Sequence, residues 1–193
     1  MNKYIETIKL VVKAASYSPN NKFGSTDWNY HFIPVVEHSL ALGKKFNADL
    51  EVLELAALLH DYAAIYDYAL YKEHHIHGAR LAKVELEKLS YPEDKIKHIQ
   101  DCILNHRGSK ENGHKTIESK ILASADAMSH ITEPADMFFL SFGIHKYKTR
   151  EGSEWLKGKV NRSWNKIVLD EAREMVRPQY ELFIKILDQA INK

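Results

Sequence analysis

Cysteine is nearly absent: Cys102 is the only one in 193 residues. That excludes an internal disulfide framework and any thiolate metal cluster, and it points to a reducing compartment. Net charge is nearly absent too, with 27 Lys and Arg against 26 Asp and Glu. No overall field draws the chain to a nucleic-acid polymer or an anionic membrane, and local patches are all that charge can offer. No apolar run approaches the roughly 20 residues of a membrane span, and no signal-like apolar region follows Lys3. These absences predict a cytoplasmic protein without a membrane partner. Alternating strand-like runs and hairpin dipeptides are also scarce.

What is present is apolar residues at helical spacing along most of the chain, which predicts an all-α fold. The length suits a single domain over 1–193. A first helix is expected from Tyr4 to Ala15, closed by the turn-rich Ser16-Tyr17-Ser18-Pro19-Asn20-Asn21. A second begins between Asn29 and His31, with Pro34 in its first turn, and ends at Asn47-Ala48-Asp49. Asp49 can cap a third helix that reaches His60-Asp61. A tyrosine-rich connector from Tyr62 to Tyr71 leads to a fourth helix, His74 to Leu89. Tyr91-Pro92-Glu93-Asp94 opens a fifth that Gly108 would stop, and Ser109 to Lys115 reads as loop. A sixth spans Thr116 to Ile131. A basic, Gly-punctuated loop then holds Lys146, Lys148, Arg150, Lys157 and Lys159, and a last helix from Ser163 to Ile191 is broken or kinked at Pro178.

Two charges sit where charges are costly. His60-Asp61 closes the almost wholly apolar run Leu53-Glu54-Leu55-Ala56-Ala57-Leu58-Leu59, and Asp126 lies within Ile121-Leu122-Ala123-Ser124-Ala125-Asp126-Ala127-Met128. Such groups need a partner once desolvated, and a bound cation is the simplest one. His31 adds a second imidazole; His38, seven residues later on nearly the same helix face, competes with it. Two imidazoles and two carboxylates suit an octahedral ion such as Mn²⁺, Fe²⁺, Co²⁺, Ni²⁺ or Mg²⁺ better than a structural zinc site. Open coordination positions would supply a nucleophilic water and orient a phosphoryl oxygen.

The segments Asp27-Trp28-Asn29-Tyr30-His31, Ala56-Ala57-Leu58-Leu59-His60-Asp61 and Ala125-Asp126-Ala127-Met128 together resemble the H…HD…D signature of the HD-domain superfamily of metal-dependent phosphohydrolases. His74-His75-Ile76-His77-Gly78-Ala79 and Ile103-Leu104-Asn105-His106 resemble two further histidine elements of that family. The resemblance implies an HD-type helical core over about 27–131, with 132–193 as a C-terminal helical extension. It favours His31 over His38 and implies that His31, His60, Asp61 and Asp126 hold one divalent metal ion. It gives His74 and His106, with Asp61, catalytic or second-ion roles.

Arg107, His75 and Lys72 are expected to contact substrate, Arg107 as a planar phosphate donor; Lys146, Lys148 and Arg150 are further candidates. His130, one turn after Asp126, could orient it. The expected activity is hydrolysis of a small phosphorylated metabolite, a nucleotide by preference, through attack of metal-bound water. Two other readings stand beside it: a di-iron oxygenase that uses His31, His60, Asp61, His74, His106 and Asp126 as six ligands, and a non-catalytic metal- or nucleotide-binding regulatory module. The second of these draws on a departure from the family pattern. Tyr62-Ala63-Ala64 follows the dipeptide where many members carry an acidic residue, and Asp67 is the nearest substitute. Oligomeric state is left open.

Overall fold

The computed structural model describes residues 2–107 and 113–193. Among them the chain is all helical and without strands, and no helix is long and apolar enough to cross a membrane. The expected stop at Gly108 and the first part of the Ser109 to Lys115 loop lie outside the described residues.

Local sequence sets the helix starts. Asn2 accepts from the Tyr4 amide to open α1, Lys3–Ser16. After a wide turn at Trp28–Phe32, α2 (Ile33–Phe46) begins with Pro34 in its first turn and ends at Asn47, which takes the left-handed conformation at φ 53°. Asp49 accepts from the Glu51 and Val52 amides and starts α3, Leu50–Leu59. A helix apolar on all sides belongs in the middle of a fold. Seven of the ten residues of α3 are buried, and it packs against α1, α2, α6 (Glu93–Asn105) and α7 (Ile117–Thr132).

The tyrosine-rich connector is ordered helix rather than loop. Tyr62–Tyr66 forms α4, and Asp67 then accepts from the Ala69 amide to start a tight turn over Tyr68–Glu73. Tyr62, Ala63, Ala64 and Ile65 are buried, so the segment is helical because its apolar side reaches the core. Next comes α5, His74–Lys88, which pairs with α6. Gly78 is required by that arrangement. A Cβ there would stand 3.1 Å from the His60 carbonyl oxygen and 3.3 Å from Ile103 Cγ2, and a backbone oxygen cannot swing aside. Gly78→Ala is therefore expected to cost about 1–2 kcal/mol, overpacking outweighing the better helix propensity of alanine. Urea unfolding of the two proteins measures it.

The C-terminal region departs most from expectation. Instead of a basic loop and one broken helix, short α8 (Pro134–Phe138) and a wide turn (Phe139–Ile144) precede two long helices, α9 (Thr149–Lys166) and α10 (Asp170–Ile191). Arg150, Lys157 and Lys159 thus lie on a helix. The break falls at Ile167-Val168-Leu169, where Ile167 and Leu169 are buried and the Val168 amide donates to Ser124 Oγ of α7. Pro178 lies within the continuous α10 on its exposed side. The carbonyl that loses its intrahelical partner there can be hydrated, so proline is tolerated. Both α9 and α10 pack on α7 and on each other.

Candidate metal centre

His31, His60, Asp61, His74, His106 and Asp126 converge between the C-terminal ends of α3 and α6, the start of α5 and the middle of α7. His31 is delivered by the wide Trp28–Phe32 turn, in which the Ile33 amide reaches the Trp28 carbonyl. Such one-residue expansions recur where a helix must aim a functional side chain. Asp61 stands between α3 and α4 at φ −108°, ψ 10°, a backbone region common at active sites.

The histidines are oriented alike. His60 Nδ1 donates to the Ala57 carbonyl at 2.7 Å, His74 Nδ1 to that of Tyr71 at 2.7 Å, and His106 Nδ1 to that of Ile103 at 2.6 Å. Ser129 Oγ spends its proton on the Asp126 carbonyl, so His31 Nδ1 donates to Ser129 Oγ at 3.0 Å. A carbonyl only accepts, so the Nδ1 atoms carry the protons and four bare Nε2 lone pairs face the interior.

They do so in pairs. His31 Nε2 and His60 Nε2 are 3.1 Å apart, as are His74 Nε2 and His106 Nε2. Asp61 stands between the pairs: Oδ1 lies 3.0 Å from His74 and 3.5 Å from His106, Oδ2 3.5 Å from His31 and 3.7 Å from His60. Asp126 Oδ1 completes the first pair at 3.8 and 3.9 Å from His31 and His60. Adjacent ligands of an octahedral ion with bonds of about 2.1 Å stand about 3 Å apart. Lone pairs held face to face at that spacing repel each other unless a metal ion lies among them or one ring of each pair takes a second proton. Asp61 Oδ1 is moreover buried with no hydrogen-bond partner among the described residues. The donor set therefore fits a divalent ion at His31, His60 and Asp126, and the trio Asp61, His74 and His106 offers a second group of ligand atoms.

The electrostatics agree with that fit. Burial pushes the Asp61 carboxyl up, but the imidazoles of His74, His60, His106 and His31 around it outweigh that and hold the group well below the usual carboxylate range. Asp126 is likewise held low: burial opposes this, and His130, His60 and Lys166 overcome it. Burial brings His60 down to about 4, so it is neutral and able to ligate. Burial also works to lower His31 and His74, yet Asp61 raises both, with Asp126 assisting at His31.

Two cavities open on this cluster. The smaller, about 100 Å³, is walled by Phe23, Phe32, Ile65, Met137 and Leu140 and touches Asp27, Asp136 and Lys159. The larger, about 390 Å³, is lined by Arg107, His145, Trp155, Lys159, Arg162 and Lys166 beside the ligand residues. Of the expected substrate contacts, Arg107 lines the larger cavity, while His75 and Lys72 are not among the lining residues of either. His75 packs edge-on against His74, and the Lys72 carbonyl accepts from Arg107. Lys146, Lys148 and Arg150 are exposed and away from both cavities; Lys159, Arg162 and Lys166 stand there instead. Sequence reading put Lys159 in a loop and Lys166 in the next helix and so missed their common face, although the spacing of three and four is itself a helical signal.

His38 bonds Thr132, apart from the cluster. His130 stacks on His31 at 5.3 Å and meets Ser163 through Nδ1, next to Asp126. His145 is exposed and borders the larger cavity. Asp67 caps its turn on an exposed groove with Tyr62 and Tyr66, so it supplies no carboxylate here. Phe138 and Phe142 stack on each other and pack in the core.

The HD domain family model matches residues 29–131, more than half of the chain. No curated protein matches the sequence. Among solved structures, the chain is similar to YpgQ of Bacillus subtilis (21% identity, TM-score 0.69, covering 97% of this chain and 93% of that one), a protein also solved in complex with ADP. It is similar as well to an HD-superfamily hydrolase of Bacillus thuringiensis (20%, TM-score 0.68, 96% and 93%). A third relative is a predicted HD superfamily hydrolase from an uncultured Thermotogales bacterium (18%, TM-score 0.66, 95% and 89%). With the family match laid over the helices that carry His31, His60-Asp61 and Asp126, the chain belongs to the HD domain family.

Proposed function

We propose that the protein is a metal-dependent phosphohydrolase of a small phosphorylated metabolite, a nucleotide by preference. The observation that carries this reading is four histidine Nε2 lone pairs and two carboxylates gathered beneath a cavity walled by cations. A divalent ion bound there supplies a Lewis acid and lowers the pKa of water to near neutrality. His31, His60, Asp61 and Asp126 would hold it, and His74 and His106 lie ready for a second ion. With Nδ1 donating to a carbonyl, a neutral His74 or His106 has its Nε2 lone pair free to ligate or to take a proton from an attacking water. Arg107, fixed by its bond to the Lys72 carbonyl, offers its remaining donors to phosphoryl oxygens. Phe23, Ile65, Met137 and Leu140 give the smaller cavity an apolar wall. The ADP complex of YpgQ supports the nucleotide preference by likeness of fold.

The test is a phosphatase screen over nucleotides, sugar phosphates and phosphodiesters with Mn²⁺, Mg²⁺, Co²⁺, Ni²⁺ and Fe²⁺ in turn. His31→Gln is expected to lose metal and at least ~100-fold in rate, on the scale of a lost charged partner. His38→Gln is expected to keep both. Equal loss in the two variants, or no phosphate release with any metal, would sink the assignment.

The even division of Asp61 between two ligand groups also suits a di-iron oxygenase. Two irons per chain in protein from its own host, with oxygen-dependent turnover, would favour that reading. Phosphate release without oxygen excludes it.

A further inference from the structure

Trp155, Lys159, Arg162 and Lys166 follow one another at steps of four, three and four, which places them on one face of α9, and all four line the larger cavity. From Lys159 to Lys166 the helix rises about 10 Å. Among the described residues none of the three cations has a carboxylate within ion-pair distance. On other faces of the same helix, Arg150 is paired with Glu154 and Lys157 with Asp188. Lys159 is crowded by Lys166 and Arg162 while it faces Asp126 and Asp61. Like charges massed on one wall repel, and an anion of several charges relieves them. A single phosphate fills one station of this row; linked phosphates fill it. At the N-terminal end of the row, Trp155 meets His145 edge-on at 4.9 Å and Tyr147 at 6.0 Å, a platform on which a planar ring can stack.

We infer that this face of α9, outside the residues the family model matches, determines specificity: it reads the number of linked phosphates through Lys159, Arg162 and Lys166 and holds the nucleoside base against Trp155 and His145. The ligand class is then a nucleoside di- or triphosphate rather than a monophosphate. The inference rests on the phosphohydrolase reading for the site, and binding separates the two.

Titration calorimetry of the metal-loaded protein would compare AMP with a methylene-bridged ATP analogue that resists cleavage. The analogue is expected to bind at least tenfold tighter than AMP. Arg162→Glu combined with Lys166→Glu should weaken the analogue more than tenfold and AMP less than threefold. Lys185→Glu, which makes the same kind of charge change on exposed α10, should leave the ratio unaltered. If the double variant does not fold, Arg162→Gln and Lys166→Gln taken singly are each expected to weaken the analogue at least threefold. A wild-type ratio near one, or a ratio that survives these substitutions, overturns the inference. Tight α9-dependent binding with no phosphate released from ATP would instead leave it standing and remove the phosphohydrolase reading.

Discussion

An Asp61→Asn protein is expected to lose roughly 10²–10³-fold in kcat together with most of its bound metal. Asp61 faces both ligand groups, with Oδ1 toward His74 and His106 and Oδ2 toward His31 and His60. Asparagine keeps the shape but removes the charge that draws a cation between the histidine pairs. Loss of one member of a buried ionic constellation costs about 3–5 kcal/mol, and each ~1.36 kcal/mol is a factor of ten in rate. The measurement is metal content by atomic absorption beside steady-state kinetics, with circular dichroism to establish folding. Retention of both metal and rate in a folded Asp61→Asn protein would show that Asp61 neither ligates the ion nor takes part in the reaction.

Chelation is expected to lower the melting temperature by roughly 5–10 °C relative to protein in Mn²⁺ at a hundredfold excess over Kd. Ligand binding at that excess stabilises by about 2.7 kcal/mol. For a chain of this size each kcal/mol moves Tm by about 2–4 °C. The difference should shrink on acidification through the ordinary histidine range. Asp61 raises His31 and His74, so in the metal-free protein their favourable charge is fully present below the unfolded histidine pKa. It fades as pH rises through the folded values. Protons and metal compete for the same Nε2 atoms, so metal stabilisation grows with pH. The carboxylates run the other way: Asp61 and Asp126 are held low, and their contribution is present at neutral pH and lost only below the usual carboxylate range. A Tm indifferent to both chelator and Mn²⁺ at pH 7.5 would contradict metal binding at this cluster.

The all-α fold and the H…HD…D set were legible because both rest on short-range chemistry. Asp49 and Asn2 cap helices by bonds to amides two or three residues away, and an apolar run such as 52–59 has no stable place but the core. A histidine and a carboxylate at the end of that run call for a counter-charge wherever the chain folds. The Tyr62–Tyr66 helix, the break at Ile167-Val168-Leu169 and the tolerance of Pro178 were not legible. Each depends on which face meets α7 or solvent, and periodicity leaves that open.

The sequence by itself determined the helical class, which periodicity carries, and its motifs resembled the HD family, a resemblance that proposed six residues for the centre. Only the tertiary structure decided that every histidine presents Nε2 inward, that Asp61 divides its oxygens between two pairs, and that α9 rather than the residues around Lys72 brings cations to the cavity. Those outcomes follow from how α3, α5, α6, α7 and α9 pack around one point. Each side chain's bearing there is set by neighbours up to a hundred residues away, as with His31 and Ser129.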